Sequence, residues 1–298
     1  MNFKIVFIGM GQYTIGCLEQ VIEKYRVVGI VQSIRKKEKY TMLDIMAVKY
    51  GKLRKFAANH NIPYMYTDDL NGEKVLNFLK KADCNLICVA SAGQLLKGEI
   101  FNIPRYGILN AHSSLLPEYR GANPTYWIFR NQEKVGGITI HYIDKGMDTG
   151  NFLVQKEFDI PYKYSLAEYD RKISELAGQC YMQVLNGLND GSLQSKPQVG
   201  AGTCIARRVS SADYCMNLDK MPASEVYHFL YGTNGVNKIY ESIFFNYSIG
   251  DAQQGKSKGK LDIVCKDGYI PVFKLFNLKS SILKCLFKFL SLIPVRKI

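Results

Sequence analysis

Along the first 112 residues, four short runs of apolar and often β-branched residues recur: KIVFIGM (4–10), VVGIVQ (27–32), NLICVAS (85–91) and GILNAH (107–112). The stretches between them carry helical spacing instead, as in Leu18, Val21 and Ile22 after the first run, and in GKLRKFAANHNIP and YMYTDDLNGEKVLNFLKKADC before the third. A strand that is apolar without alternation is buried on both faces. Strands separated by helices cannot close as hairpins, so the pattern predicts a parallel, doubly wound sheet. After Gly136, ITIHYID and NFLVQKEFDI predict two further strands joined by the turn KGMDTG. An apolar face of Leu166, Tyr169, Ile173, Leu176, Ala177, Cys180 and Val184 predicts a long helix from Ser165 to about Asn186. Composition turns Gly-, Ser- and polar-rich over NDGSLQSKPQVGAGT (189–203), which places a boundary there. The fold class expected is therefore α/β, with a mostly parallel sheet domain over 1–200. A smaller mixed α+β domain follows over 201–298, for substrate positioning or dimerisation.

The chemistry available to such a chain is narrowed by its cysteines and its charge. Eight cysteines show no C-x-x-C pair, and the His and Cys residues lack metal-ligand spacing, so reduced thiols and no metal site are expected. No stretch is apolar over the length of a membrane span, and MNFKIVFIGMGQ does not have the shape of a signal peptide, so the expected location is cytoplasmic. A net charge of +13 points to an anionic partner: nucleic acid, a phosphorylated small molecule or an anionic membrane. The basic, apolar tail SSILKCLFKFLSLIPVRKI is read as a helix docking on the core or on a second subunit, in preference to a weak membrane-surface helix, and a homodimer is expected.

Two glycine clusters invite attention. GMGQYTIG, with Gly9, Gly11 and Gly16, misses the G-x-G-x-x-G spacing, and no acidic residue ends the second strand to hold a ribose, so a plain strand-to-helix turn is expected. The second cluster brings polar groups together. Asn110 and His112 stand two apart on an extended segment and share a face, at the carboxyl end of a buried strand where open α/β sheets place ligands. Asp148 sits in the Gly-bracketed turn GMDTG. An amide, an imidazole and a carboxylate able to orient that imidazole make a plausible acid–base and oxyanion set.

The run Asn110-x-His112-x-Ser114-x-x-Pro117 with Tyr119-Arg120-Gly121, and the later Gly137-x-Thr139-x-His141 with Asp148-Thr149-Gly150, resemble the two signatures of the folate-dependent formyltransferases. The resemblance covers about residues 1–200. It implies a Rossmann-like catalytic domain, N10-formyltetrahydrofolate as co-substrate, and Asn110, His112 and Asp148 as the catalytic trio. It also implies that Gln94, Leu95 and Leu96 hold the pterin, largely through backbone groups, with Asp144, Lys145, Gly146, Met147 and Asp148 closing the other side. In that chemistry an amine attacks the formyl carbon, Asn110 donates to the formyl oxygen, and His112 beside Asp148 shuttles protons.

Three acceptors compete within the family. The turn GMGQYTIG and about 95 further residues fit poorly with glycinamide ribonucleotide transformylases. Methionyl-tRNA formyltransferases resemble the chain in length and in a basic segment after the second strand, here SIRKKEKY, but usually carry RGAAPIQ where this chain reads RGANPTYWIFRN. Asn123-Pro124 and the Tyr126-Trp127 pair are more similar to sugar N-formyltransferases, with the aromatic rings stacking a nucleobase or simply packing. The expected partner is thus a nucleotide-linked amino sugar, formylated for surface polysaccharide such as O-antigen or capsule. Methionyl-tRNA is the alternative, because basic residues in the second half are scattered rather than striped. A non-catalytic folate- or nucleotide-binding module is the remaining reading, and the intact trio argues against it.

Overall fold

A computed structural model describes residues 1–34, 40–41, 51–233, 245–254, 261–276 and 294–295. Its strands are β1 (Lys4–Gly9), β2 (Arg26–Ser33), β3 (Tyr64–Thr67), β4 (Leu86–Ala90), β5 (Ile108–His112), β6 (Val135–Tyr142) and β7 (Phe152–Asp159). They form one sheet in the order β3-β2-β1-β4-β5-β6-β7. The first five pair in parallel, and β6 runs antiparallel to both β5 and β7, with Asn110 opposite His141 across β5 and β6. The mostly parallel α/β sheet expected from the apolar runs is what forms.

The alternation of a strand explains its two cores. Along β1, Ile5 and Phe7 point into one apolar layer, and Val6 and Ile8 into the other, all of them fully buried. Helix α1 (Gly11–Val21) follows β1 and packs against the long helix α5 (Leu166–Asp190) on the first face. Helices α2 (Lys52–Asn59) and α3 (Glu73–Lys81) connect the intervening strands, with Val75 and Leu79 of α3 in the second layer. Helix α5 starts at a capping box of Ser165 and Glu168 and ends at Gly191, in the left-handed region at φ 76°. It runs a turn beyond Asn186 because Leu185 stays buried and Gly187 lets Leu193 fold back closely.

Beyond α5 the chain does not leave the sheet domain freely. Residues 196–209, whose first part lies in the stretch 189–203 read as a boundary, run along it as a bonded strap with bridges from Lys196 to Phe152 and from Ile205 to Arg120. Helix α6 (Ala223–Thr233) then packs on α4 (Pro124–Arg130), where Phe129 lies so close to Gly232 that a β-carbon there would stand 2.1 Å from its ring. Strand β8 (Phe245–Ile249) pairs antiparallel with β11 (Val272–Phe276), and β9 (Ile263–Cys265) with β10 (Gly268–Ile270). With α6, these antiparallel pairs make up the smaller mixed α+β region that follows the main sheet.

Most of the basic segment after β2 and most of the apolar tail lie outside the described residues, as does most of the lysine-rich turn at 255–260. The seven described cysteines are free thiols, five of them buried. Among the described residues no helix is long and apolar enough to cross a membrane.

Candidate active site

Strand β5 carries Asn110 and ends at His112, and β6 with the loop after it adds His141 and Asp148. Asn110 faces His141 directly across the antiparallel pair β5–β6. The loop after β6 returns Asp148 to the same point, in the left-handed region at φ 56°. The expected trio therefore converges: Asp148 Oδ2 lies 3.6 Å from His112 Nδ1, and Asn110 Nδ2 lies 3.3 Å from Asp148 Oδ1. The Gly121 amide also donates to Asp148 Oδ2 at 2.9 Å.

Hydrogen bonds fix which imidazole nitrogen titrates. His112 Nε2 lies 2.8 Å from the Tyr119 carbonyl, which can only accept, so this nitrogen carries its hydrogen in every state. Nδ1 is left to gain or lose the proton, facing the carboxylate. His141 repeats the arrangement: Nδ1 donates to the Tyr142 carbonyl at 2.8 Å, while Nε2 stands 3.1 Å from Asn110 Nδ2 and 3.5 Å from Asp148 Oδ1. Two imidazoles thus aim their free nitrogens at one carboxylate.

Burial sets the protonation states. His112 is 6 % exposed, and burial lowers its pKa; Asp148 and the Tyr119 hydrogen bond raise it, His141 lowers it, and the net direction is down. At neutral pH His112 is then mostly the neutral base. Burial pushes Asp148 up, but His112 and His141 beside it and the Gly121 amide outweigh it, holding the carboxyl at about 2.

One expected role changes in detail. Both hydrogens of the Asn110 amide point inward, to His141 Nε2 and Asp148 Oδ1, two groups that accept. Reversing the amide would set its oxygen against the carboxylate. In this arrangement Asn110 meets a ligand with its carbonyl oxygen, suited to an amine N–H, rather than with the donor expected for the formyl oxygen.

The trio opens on a cleft of about 1250 Å³, whose lining includes Gly93–Lys97, Asp144–Asp148 and Ile205. Gln94 turns its side chain away: Nε2 donates to the Asp68 carbonyl and Oε1 accepts from the Leu70 amide at 3.2 Å, leaving its backbone at the cleft. Leu96 is buried, and Leu95 is more than half exposed. Across the loop, Asp144 Oδ1 accepts from the Gly146 amide at 3.0 Å and the Thr149 hydroxyl at 2.7 Å, a tight turn in which Gly146 has no room for a β-carbon. Lys145 and Met147 are exposed at the cleft. Seven of the eight residues named for the cofactor thus line one cavity through main chain or exposed side chain, and the buried Leu96 contributes to its wall.

The aromatic pair does not stack a base. Tyr126 is 7 % exposed, donates to the Asp213 carbonyl at 2.7 Å and packs edge-on to Tyr214 and Phe229. Trp127 donates to the Arg207 carbonyl at 2.9 Å, with the Arg207 guanidinium 4.7 Å over its ring. Of the two expectations, packing is the one met. Their work is to clamp residues 204–209 at the cleft rim, together with hydrogen bonds from Tyr119 N to Cys204 O, from Ala206 N to Arg120 O and from Asn123 N to Ala206 O. The clamp sets Arg207 and Arg208 in the cleft wall. Sequence reasoning gave no role to His141, Gln198, Arg207 or Arg208. The only signal was that His141 lies in register with Asn110 within G-x-T-x-H.

The chain is similar to known proteins in sequence and in fold. A formyl transferase family model matches residues 3–185. The methionyl-tRNA formyltransferase of Clostridium tetani is 30 % identical over 289 residues, which cover 91 % of each chain. Among solved structures, the sugar 3N-formyl transferase WlaRD, in the presence of dTDP and 5-N-formyl-THF, superposes with a TM-score of 0.63 at 19 % identity over 93 % of this chain and all of that one. The N-formyltransferase of Helicobacter canadensis, in complex with folinic acid and dTDP-3-aminofucose, superposes with a TM-score of 0.62 at 15 % identity over 92 % of this chain and all of its own. At these identities the superpositions speak to the fold.

Proposed function

This chain belongs to the formyl transferase family, and from that premise we propose that it moves a formyl group from N10-formyltetrahydrofolate to the amine of a dideoxyamino sugar carried on a nucleoside diphosphate, for surface polysaccharide synthesis. The residues fit the folate. The backbone of Gly93–Lys97 offers polar groups to a pterin edge, and the exposed Leu95 and Met147 offer apolar cover for aromatic rings. When bound, the folate supplies the formyl carbon and a nitrogen that takes up a proton as the group departs. Asn110, through its oxygen, orients the incoming amine. His112 Nδ1 takes the proton that the amine loses, and Asp148, ionised 3.6 Å away, stabilises the imidazolium. His112 then holds the proton needed by the departing nitrogen.

Arg207 and Arg208 carry the choice of acceptor. They stand in the wall of the same cleft as His112, on a segment clamped to the catalytic half. Arg207 is paired with Asp213, while Arg208 is exposed with no ion pair among the described residues. Guanidinium groups at the mouth of a bounded cleft suit a compact diphosphate. Titration calorimetry with dTDP, UDP and GDP tests this. One of them binds wild type, and Arg208→Glu weakens it at least about tenfold, the loss of one charge-assisted contact. Absence of binding by any diphosphate contradicts the reading.

A second reading has its own observation. The relative that matches over 91 % of both chains acts on methionyl-tRNA, and the net charge of +13 suits a polyanion. Under that reading charged initiator tRNA binds, with affinity falling steeply as salt rises.

A further inference from the structure

Asp148 occupies a backbone conformation that a non-glycine residue seldom adopts, at φ 56°, and it must stay there for its carboxylate to meet His112. Within the loop, Asp144 ties the Gly146 amide and the Thr149 hydroxyl on its two sides, not its own main chain. The main chain on either side of the turn is instead gripped from outside by a residue of the strap: Gln198 Nε2 donates to the Asp148 carbonyl at 2.9 Å and to the Gly150 carbonyl at 2.8 Å. The other end of the same amide is fixed too. Gln198 Oε1 accepts from Arg120 Nε at 3.0 Å and from Arg120 Nη2 at 2.6 Å. Both hydrogens and both lone pairs of the amide are thereby used, so it has a single orientation. Arg120 precedes Gly121, whose amide holds Asp148 Oδ2, so one two-residue stretch grips the aspartate directly and through Gln198.

We propose that Gln198 is a positioning residue: its amide, oriented by Arg120, holds the main chain of Asp148 so that the carboxylate faces His112. The inference rests on the assignment of His112 and Asp148 as the reacting pair. It makes the segment after α5 a working part of the site and not only a connection to the smaller domain. No shorter or donor-free side chain does the same, because Asn lacks a methylene of reach and Met has no hydrogens to give.

The four histidines make the test readable. The titratable groups against His112 are Asp148 and His141, and the Tyr119 carbonyl holds its other nitrogen. Displacing Asp148 removes the group that favours the imidazolium, so the His112 pKa falls. NMR titration of the imidazole signals in wild type, Gln198→Met, Gln198→Asn and Asp148→Asn, assigned by single His→Gln variants, reads this directly. The expected order for His112 is wild type highest, both Gln198 variants lower, and Asp148→Asn lowest. Gln198→Asn serves should Gln198→Met fail to fold. A His112 titration in the Gln198 variants that coincides with wild type, while Asp148→Asn shifts it, overturns the proposal and leaves the reacting pair standing. If Asp148→Asn itself leaves His112 unmoved, the pair falls, and the positioning role falls with it.

Discussion

Strand β4 and the strap at 196–209 both border the proposed reacting groups, and they are held by opposite means. Every residue of Leu86–Ala90 is buried, and the strand is paired on both sides by β1 and β5. Of the strap, Ala206 alone is buried. Its position comes from polar tethers: Glu118 Oε2 accepts from the Thr203 amide and hydroxyl and the Cys204 amide, Gln198 and Arg120 lock together, and Asn123 Oδ1 accepts from Val209 N. Apolar burial makes a frame that opens only when the domain unfolds. Tethers of this kind, each a modest net contribution, allow local opening. A cleft edge built on the first and trimmed by the second is rigid in its strands and adjustable at its rim.

The comparison sharpens under mutation. The largest expected effect is on turnover at the frame's edge: His112→Ala lowers kcat by about 10²–10⁴-fold while melting close to wild type, as steady-state kinetics and a thermal melt will read. Next comes the frame itself. Ile87→Ala, at a fully buried site, costs about 2–5 kcal/mol in urea unfolding, with one cooperative transition. The strap answers differently. Glu118→Ala removes the acceptor of three donors and costs about 1–2 kcal/mol, and limited proteolysis then cuts within 198–204 while the sheet domain survives. A global loss of stability equal to that of Ile87→Ala, without local cleavage, would erase the distinction between frame and tether.

The smallest effect is a pH dependence at the joint between α4 and α6. His228 is 1 % exposed against Phe129 and Tyr162, and neither ring nitrogen has a hydrogen-bond partner among the described residues. Burial, with Lys134 nearby, lowers its pKa. The unfolded chain therefore takes up the proton first. Stability from this site is complete above the unfolded value of about 6.5 and is lost as pH falls toward the folded one. His112 has the same sign. Melts from pH 7.5 to 5 should decline in wild type and decline less in His228→Leu; equal slopes would remove His228 from the explanation.

These two modes of construction also explain what could be read from the chain. Period-two and apolar runs write the sheet and its two cores plainly, and the i, i+2 spacing of Asn110 and His112 shows that they share a face. Gln198 carries no such mark. Its partners are Arg120, 78 residues earlier, and the main chain of Asp148 and Gly150, so nothing in QSKPQVG distinguishes it from a polar linker. The same holds for Tyr126 and Trp127, which look from sequence like a stacking platform. Their hydroxyl and indole N–H are spent on main-chain carbonyls of residues 213 and 207. The inward turn of the Asn110 amide depends on the His141 tautomer, which only the Tyr142 carbonyl decides.

The most direct test of the proposed transfer is a one-pot competition. Wild type is mixed with N10-formyltetrahydrofolate, a panel of nucleoside-diphosphate-linked dideoxyamino sugars and charged initiator tRNA, and the products are read by mass spectrometry. The expected result is formylation of one sugar, abolished in His112→Ala, with methionyl-tRNA left free. Formylation of the tRNA with every sugar untouched would contradict it.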